Sequence, residues 1–114
     1  ILQIPVKGSL LYDFPFQVMD YATGYEYIGE AIKRGLADPE VKGIALVVNS
    51  PGGMVSGCFD LSDRIFAARG VKPVAAFCEY AYSAAYALAS AAGTLTVSRS
   101  GGVGSIGVVV VQAE

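Results

Sequence analysis

Two hydrophobic periods alternate along this chain. Ile1 to Val6 alternates apolar and polar positions as a half-buried strand does, and Lys7-Gly8-Ser9 reads as the turn that ends it. An aromatic loop through Tyr12, Phe14 and Phe16 follows. Thr23 with Glu26 three residues on forms a capping-box pattern, and Ile28, Ile32 and Leu36 recur at every fourth position until Asp38-Pro39 stops the run. A helix of about three turns is predicted there. Val41 to Asn49 contains Ile44-Ala45-Leu46-Val47-Val48, a nearly unbroken apolar strand of the kind buried on both faces of a parallel sheet. It ends abruptly in a loop, Ser50-Pro51-Gly52-Gly53.

A second helical pattern turns Phe59, Ile65 and Phe66 inward and Asp60, Asp63, Arg64 and Arg69 outward, closing at Gly70. Pro73 introduces a short strand, Val74 to Phe77, followed by a loop around Glu79. The small-residue run Ser83 to Ala92 predicts a tightly packed buried helix capped by Gly93. Thr94 to Val97 is a further strand, and a glycine-rich turn, Gly101 to Gly107, leads into a last one, Val108 to Val111. Strands alternating with helices give an α/β fold with right-handed crossovers, and no linker or repeat divides residues 1–114 into more than one domain. In such folds ligands sit where strands end and helices begin, which singles out Ser50 to Gly53 and Glu79 to Ser83.

Composition narrows the function. Hydrophobic residues make up 54% of the 114 and charged residues 16%, against about 25% charged in an ordinary soluble domain. That balance predicts either partner subunits over much of the surface or a chain that is part of a larger polypeptide. The first residue is Ile1 rather than Met, which puts the true start upstream or removes it by processing. Net charge is −2 without a Lys/Arg stripe, so nucleic acid and anionic lipid are not expected partners. Tyr80 to Val97 is weakly charged but built from Ala, Ser, Tyr and Gly, which predicts no membrane span. Cys58 and Cys78, in apolar surroundings and without CxxC spacing, read as buried free thiols. The chain has no histidine, so a His-based catalytic set is excluded within it and neither metal nor cofactor is expected.

Acyl transfer needs a nucleophile, a base beside it and backbone N–H donors aimed at the developing oxyanion. Gly52-Gly53 at a strand end offers amides that a substrate carbonyl can approach closely, because neither residue has a Cβ. A plain glycine turn would look the same. Ser83 at the start of a helix sits where the dipole favours an anion, although serine is also a preferred N-cap. Around it, Ala81, Ala84 and Ala85 leave space beside the hydroxyl.

Taken together, NSPGG at the end of a buried strand, YSAAY opening an alanine-rich helix and GSIGV beyond it resemble the Ser-Lys peptidases of the signal peptide peptidase A type. The order and separations agree from about Ile1 to Val111, and SAAYALASAA is similar to the phage and prophage capsid-maturation branch. The resemblance implies a Clp/crotonase-like fold of repeated β-β-α units with a mostly parallel sheet. It implies Ser83 as nucleophile, the N–H groups of Gly53 and Ala84 as oxyanion hole with Gly52 shaping the turn, and Ser105 orienting the lysine base. Signal peptide peptidases carry Gly-Gly after the serine where this chain has Ala84-Ala85, which keeps the donor and narrows the pocket.

Clp-type peptidases share NSPGG but use a histidine, so they fit less well. None of Lys7, Lys33, Lys42 and Lys72 matches the family's lysine, which is expected beyond Glu114 or from a neighbouring subunit. The implied activity is endopeptidase cleavage of extended segments, in phage capsid or scaffold maturation or in signal-peptide degradation. Peptide or protein substrates and a homo-oligomer are the implied partners. The host cytoplasm is the implied location for the phage branch, and the membrane for the bacterial one. Two other readings remain: a crotonase-like acyl-thioester enzyme, which shares the oxyanion turn, and a non-catalytic assembly subunit of the same fold.

Overall fold

In a computed structural model, which describes residues 1–104, the opening strand does not stop at Lys7-Gly8-Ser9 but continues as β1, Leu2–Leu11. Its register against the neighbouring strand shifts between Lys7 and Ser9, and Gly8 takes φ +72° with the Tyr21 carbonyl carbon 2.3 Å from where a Cβ would stand. The residues that read as a turn form a bulge instead; both need a backbone that only glycine adopts cheaply.

Eight elements follow: β2 (Gln17–Val18), β3 (Ala22–Gly24), α1 (Tyr25–Ala37), β4 (Ile44–Gly53), α2 (Cys58–Ala68), β5 (Val74–Tyr82), α3 (Ala84–Ser90) and β6 (Thr94–Gly104). The sheet runs β2-β3-β1-β4-β5-β6, parallel at every pairing except β2 with β3. The expected α/β class with a mostly parallel sheet is what forms. The predicted last strand, Val108 to Val111, lies outside the described residues.

Three crossovers, β3-α1-β4, β4-α2-β5 and β5-α3-β6, all carry the chain in one direction across the sheet. With a common hand, their helices must fall on one side. Ile4, Val6, Ile44, Leu46, Val48, Val74, Ala76 and Cys78 accordingly point into one core with Ile28, Ile32, Leu61, Ile65 and Leu88 from the helices. The reading of Ile44 to Val48 as buried on both faces holds at Ala45, which is buried on the second face, and is corrected only at Val47. Alternate positions reach the second face, where Val47 is half-buried and Phe77 is 49% exposed.

Helix α2 also sits differently from its predicted phase. Cys58, Leu61, Ile65 and Ala68 are its buried side, while Phe59 and Phe66 are 60% and 58% exposed. Spacings of three, four and three residues centre the buried stripe on Leu61 and Ile65 and leave both phenylalanines on its flank. Phe66 instead lies under the guanidinium of Arg69, 4.2 Å from the ring centroid.

The capping box does not form either. Gly24 occupies the N-cap of α1 without a side-chain bond. The buried Thr23 hydroxyl accepts from Lys7 N–H at 2.9 Å and donates to Lys7 C=O at 2.8 Å, tying β3 to β1, and Glu26 accepts from Phe14 N–H at 2.8 Å. Sheet bonds compete for the same hydroxyl that a cap would use, and here they win. Among the described residues no helix is long and apolar enough to cross a membrane.

Candidate active site

The two strands on which NSPGG and YSAAY lie are longer than their patterns suggest. The segment 50–53 is the end of β4 rather than a loop, and Glu79 is a bulge within β5, its N–H held by Asn49 Oδ1 at 3.2 Å. β4 pairs with β5 as far as Ser50 opposite Ala81, yet it stays on β1 through Gly52 opposite Ser9 and Gly53 opposite Leu10. Gly52 and Gly53 thus lie where β4 and β5 part, and β5 delivers Ser83 to that point.

Ser83 is half-buried and holds φ 56°, ψ −125°, backbone that a side-chain-bearing residue rarely adopts. It stands in the N-cap position of α3, where its carbonyl accepts from Tyr86 N–H at 3.0 Å and Ala87 N–H at 3.2 Å, but its side chain makes no capping bond. An ordinary serine cap has extended backbone and bonds its hydroxyl to the first turn. This one does neither. The small residues Ala84, Ala85, Ala87 and Ala89 are all buried, which lets α3 press onto β4 and β5.

Gly52 reaches the same place from the other strand. It has φ +112°, and a Cβ there would lie 2.8 Å from Ser83 Cβ, 2.9 Å from the Tyr82 carbonyl oxygen and 3.3 Å from the Ala84 amide nitrogen. Gly53 is packed across Leu10, whose carbonyl oxygen is 2.1 Å from the position of a Cβ. Gly104, which opens the GSIG motif, accepts from Ser83 N–H at 2.9 Å. Gly52, Ser83, Ala84 and the first residue of the third motif are therefore brought together, while Ser105 lies outside the described residues.

Residues to which the sequence reading gave no role of their own support this arrangement. Ser50 is fully buried, donates to the Gly8 carbonyl at 2.6 Å and accepts from Gly52 N–H at 3.1 Å, so it joins the β1 bulge to the glycine turn. Its place inside NSPGG, at the end of a buried strand, was the available signal. Met54 N–H donates to Leu10 C=O at 2.8 Å, and its carbonyl accepts from the Tyr25 hydroxyl. No pattern marked Tyr25.

Three of the four lysines are engaged by other groups, and the fourth is exposed. Lys7 is 3.9 Å from Asp20, and Lys42 donates to Pro39 C=O at 3.1 Å. Lys72 donates to the carbonyls of Gly35 and Asp38 at the end of α1, and Lys33 is exposed in the same helix. Lys72 and Lys42 precede β5 and β4, at the opposite strand ends from Ser83. A cleft of about 430 Å³ also lies at those opposite ends, lined by Gly43, Ile44, Pro73, Val74, Gly93 and Thr94, away from Ser83.

Burial pushes the thiols of Cys58 and Cys78 and the phenol of Tyr25 above their ordinary ranges. Each stays protonated in the folded chain at a pH where the unfolded chain has lost the proton. Stability is therefore expected to be flat up to about pH 9, the unfolded thiol value, and to fall as pH rises above it. Denaturant titrations from pH 7 to 10.5 check this, and a midpoint that does not fall above pH 9 contradicts it.

The chain matches no protein-family model. It is 41% identical over 113 residues to the head-tail preconnector protein GP5 of Enterobacteria phage P21, an alignment covering 95% of this chain and 22% of that protein. The chain spans only about a quarter of the length of the curated relatives it matches. It is similar over its whole length, at 38% identity across 116 aligned residues and 26% of the relative, to the capsid assembly protease C of Escherichia phage lambda.

Proposed function

We propose that Ser83 is the nucleophile of a serine endopeptidase that cleaves extended protein segments during phage capsid maturation. The observation that carries this is the backbone of Ser83, φ 56° and ψ −125°, at a strand-to-helix turn against Gly52. Such a turn projects a hydroxyl from the fold, and its strain is tolerated where it serves chemistry. The similarity to a protein named as a capsid assembly protease points the same way.

In this reading Ser83 Oγ attacks the scissile carbonyl carbon and its proton passes to a neutral lysine Nζ. Negative charge gathers on the former carbonyl oxygen, which the N–H groups of Gly53 and Ala84 receive. Gly52 lets the two come close. Collapse breaks the C–N bond, and the lysine returns the proton to the leaving amine. Water then adds to the acyl-serine by the same route and releases the acid. The lysine is supplied from outside residues 1–114, by later sequence or by a neighbouring subunit, and Ser105 orients it. It must be buried to be neutral near pH 7. Protein partners of the phage head are the substrate class, and a homo-oligomer accounts for the apolar composition and the half-exposed Val47 and Phe77 face.

A fluorophosphonate probe applied to the complete gene product tests the assignment. Labelling of the wild type that disappears in Ser83→Ala is the expected result. Equal labelling of both removes Ser83 from the mechanism, and no labelling of either favours the assembly-subunit reading.

A further inference from the structure

Directly behind Ser83, two buried side chains reach the strand end and the helix start on which the oxyanion donors lie. Tyr25 opens α1 and is 3% exposed; Cys58 opens α2 and is 2% exposed. The Tyr25 hydroxyl donates to the carbonyl of Met54, the residue after Gly53. The Cys58 thiol donates to the carbonyl of Ala84, the residue after Ser83, at 3.7 Å, and it lies within hydrogen-bonding reach of the Tyr25 hydroxyl. Each group has one proton, and each proton goes to a different side of the candidate pocket. Met54 is thereby fixed at both ends of the residue, its N–H by Leu10 and its C=O by Tyr25.

Resting on the Ser83 reading above, we infer that Tyr25 and Cys58 are positioning residues that set the separation of the Gly53 and Ala84 amides, and so the width of the oxyanion pocket. An oxyanion hole works through donors held in place before charge develops, and an error of about 1 Å costs about a hundredfold in rate. Two single-proton donors in contact with each other, one on each wall, restrict that separation more than packing alone does. A thiol and a phenol are protonated through the neutral range in any case, and burial pushes both further above it, so the two bonds persist at the pH where a peptidase works. Cys58 in this role is a hydrogen-bond donor, not a nucleophile.

The test compares Tyr25→Phe, Cys58→Ala and Cys58→Ser with the wild type in the complete gene product. Fluorophosphonate labelling is resolved into a binding constant and a maximal rate, and amide hydrogen exchange is followed in segments 50–57, 83–90 and 2–6. Tyr25→Phe and Cys58→Ala are expected to lower the maximal labelling rate at least about tenfold with binding within about twofold, and Cys58→Ser, which keeps a donor, to recover part of it. Exchange should quicken in 50–57 and 83–90 but not in 2–6. A wild-type labelling rate in both variants overturns the inference, as does exchange that rises equally in all three segments, since that marks packing alone. Should Tyr25→Phe not fold, Cys58→Ala reads the same bond network. Ser83→Ala labelled like the wild type defeats the nucleophile assignment itself, and this inference with it; that outcome is distinct from both of the others.

Discussion

Gly52→Ala is expected to lower fluorophosphonate labelling on the order of a hundredfold and to cost about 2–4 kcal/mol of stability. Two independent effects add. At φ +112° a Cβ is strained whatever surrounds it, and here it would also stand 2.8 Å from Ser83 Cβ and 2.9 Å from the Tyr82 carbonyl oxygen. The strand ends must separate to admit it, and the amides of Gly53 and Ala84 would separate with them. Misplacing such donors by about 1 Å is enough for a loss of that size. Gly70→Ala is the control, because its nearest contact is 3.4 Å away and its φ is not positive; a change within about 0.5 kcal/mol is expected there. Denaturant midpoints and labelling rates measured together decide the matter. A Gly52→Ala protein with wild-type values in both would mean that the close approach to Ser83 is not needed.

Ser83→Gly is expected to abolish labelling while raising stability by roughly 1 kcal/mol. A non-glycine residue held at φ 56°, ψ −125° costs about 1–3 kcal/mol. Glycine removes that cost but adds about 0.5–1 kcal/mol through the greater freedom of the unfolded chain. The difference favours the variant. Ser83→Ala, by contrast, keeps the Cβ and the strain, so it should lose labelling without gaining stability. Thermal melts of the two variants beside the wild type separate these outcomes. A Ser83→Gly protein less stable than Ser83→Ala would show that the backbone at this position is not strained in the folded chain. The pairing of lost chemistry with gained stability is the usual sign of a residue kept for function.

Much of the architecture was legible in local pattern. The period of Ile28 and Ile32 marked α1, the Ile44 to Val48 run marked β4, and the alanines after Ser83 marked a helix that packs closely. What misled were residues whose chemistry suits two structures. Gly8 serves a turn or a bulge, Thr23 a cap or a cross-strand tie, and Glu79 a loop or an interruption within a strand. Local sequence holds no preference between such alternatives, because the deciding hydrogen bonds come from residues far along the chain: Lys7 for Thr23 and Asn49 for Glu79. Phe59 and Phe66 misled for another reason. Size suggested burial, but the inward face of α2 is set by what α1 and α3 leave room for, and Cys58, Leu61, Ile65 and Ala68 fill it.

By itself, then, the sequence determined the α/β alternation, the lack of any histidine for a triad and the three motifs in their order. These depend on periodicity and residue identity, which are properties of neighbours along the chain. Tertiary structure decided that Gly52 meets Ser83, that Ser83 is twisted out of the ordinary cap conformation, and that Ser50, Tyr25 and Cys58 stand behind them. Those facts arise where β4 and β5 part, because there two strands joined by a whole crossover helix bring residues about thirty positions apart so close that no Cβ fits between them.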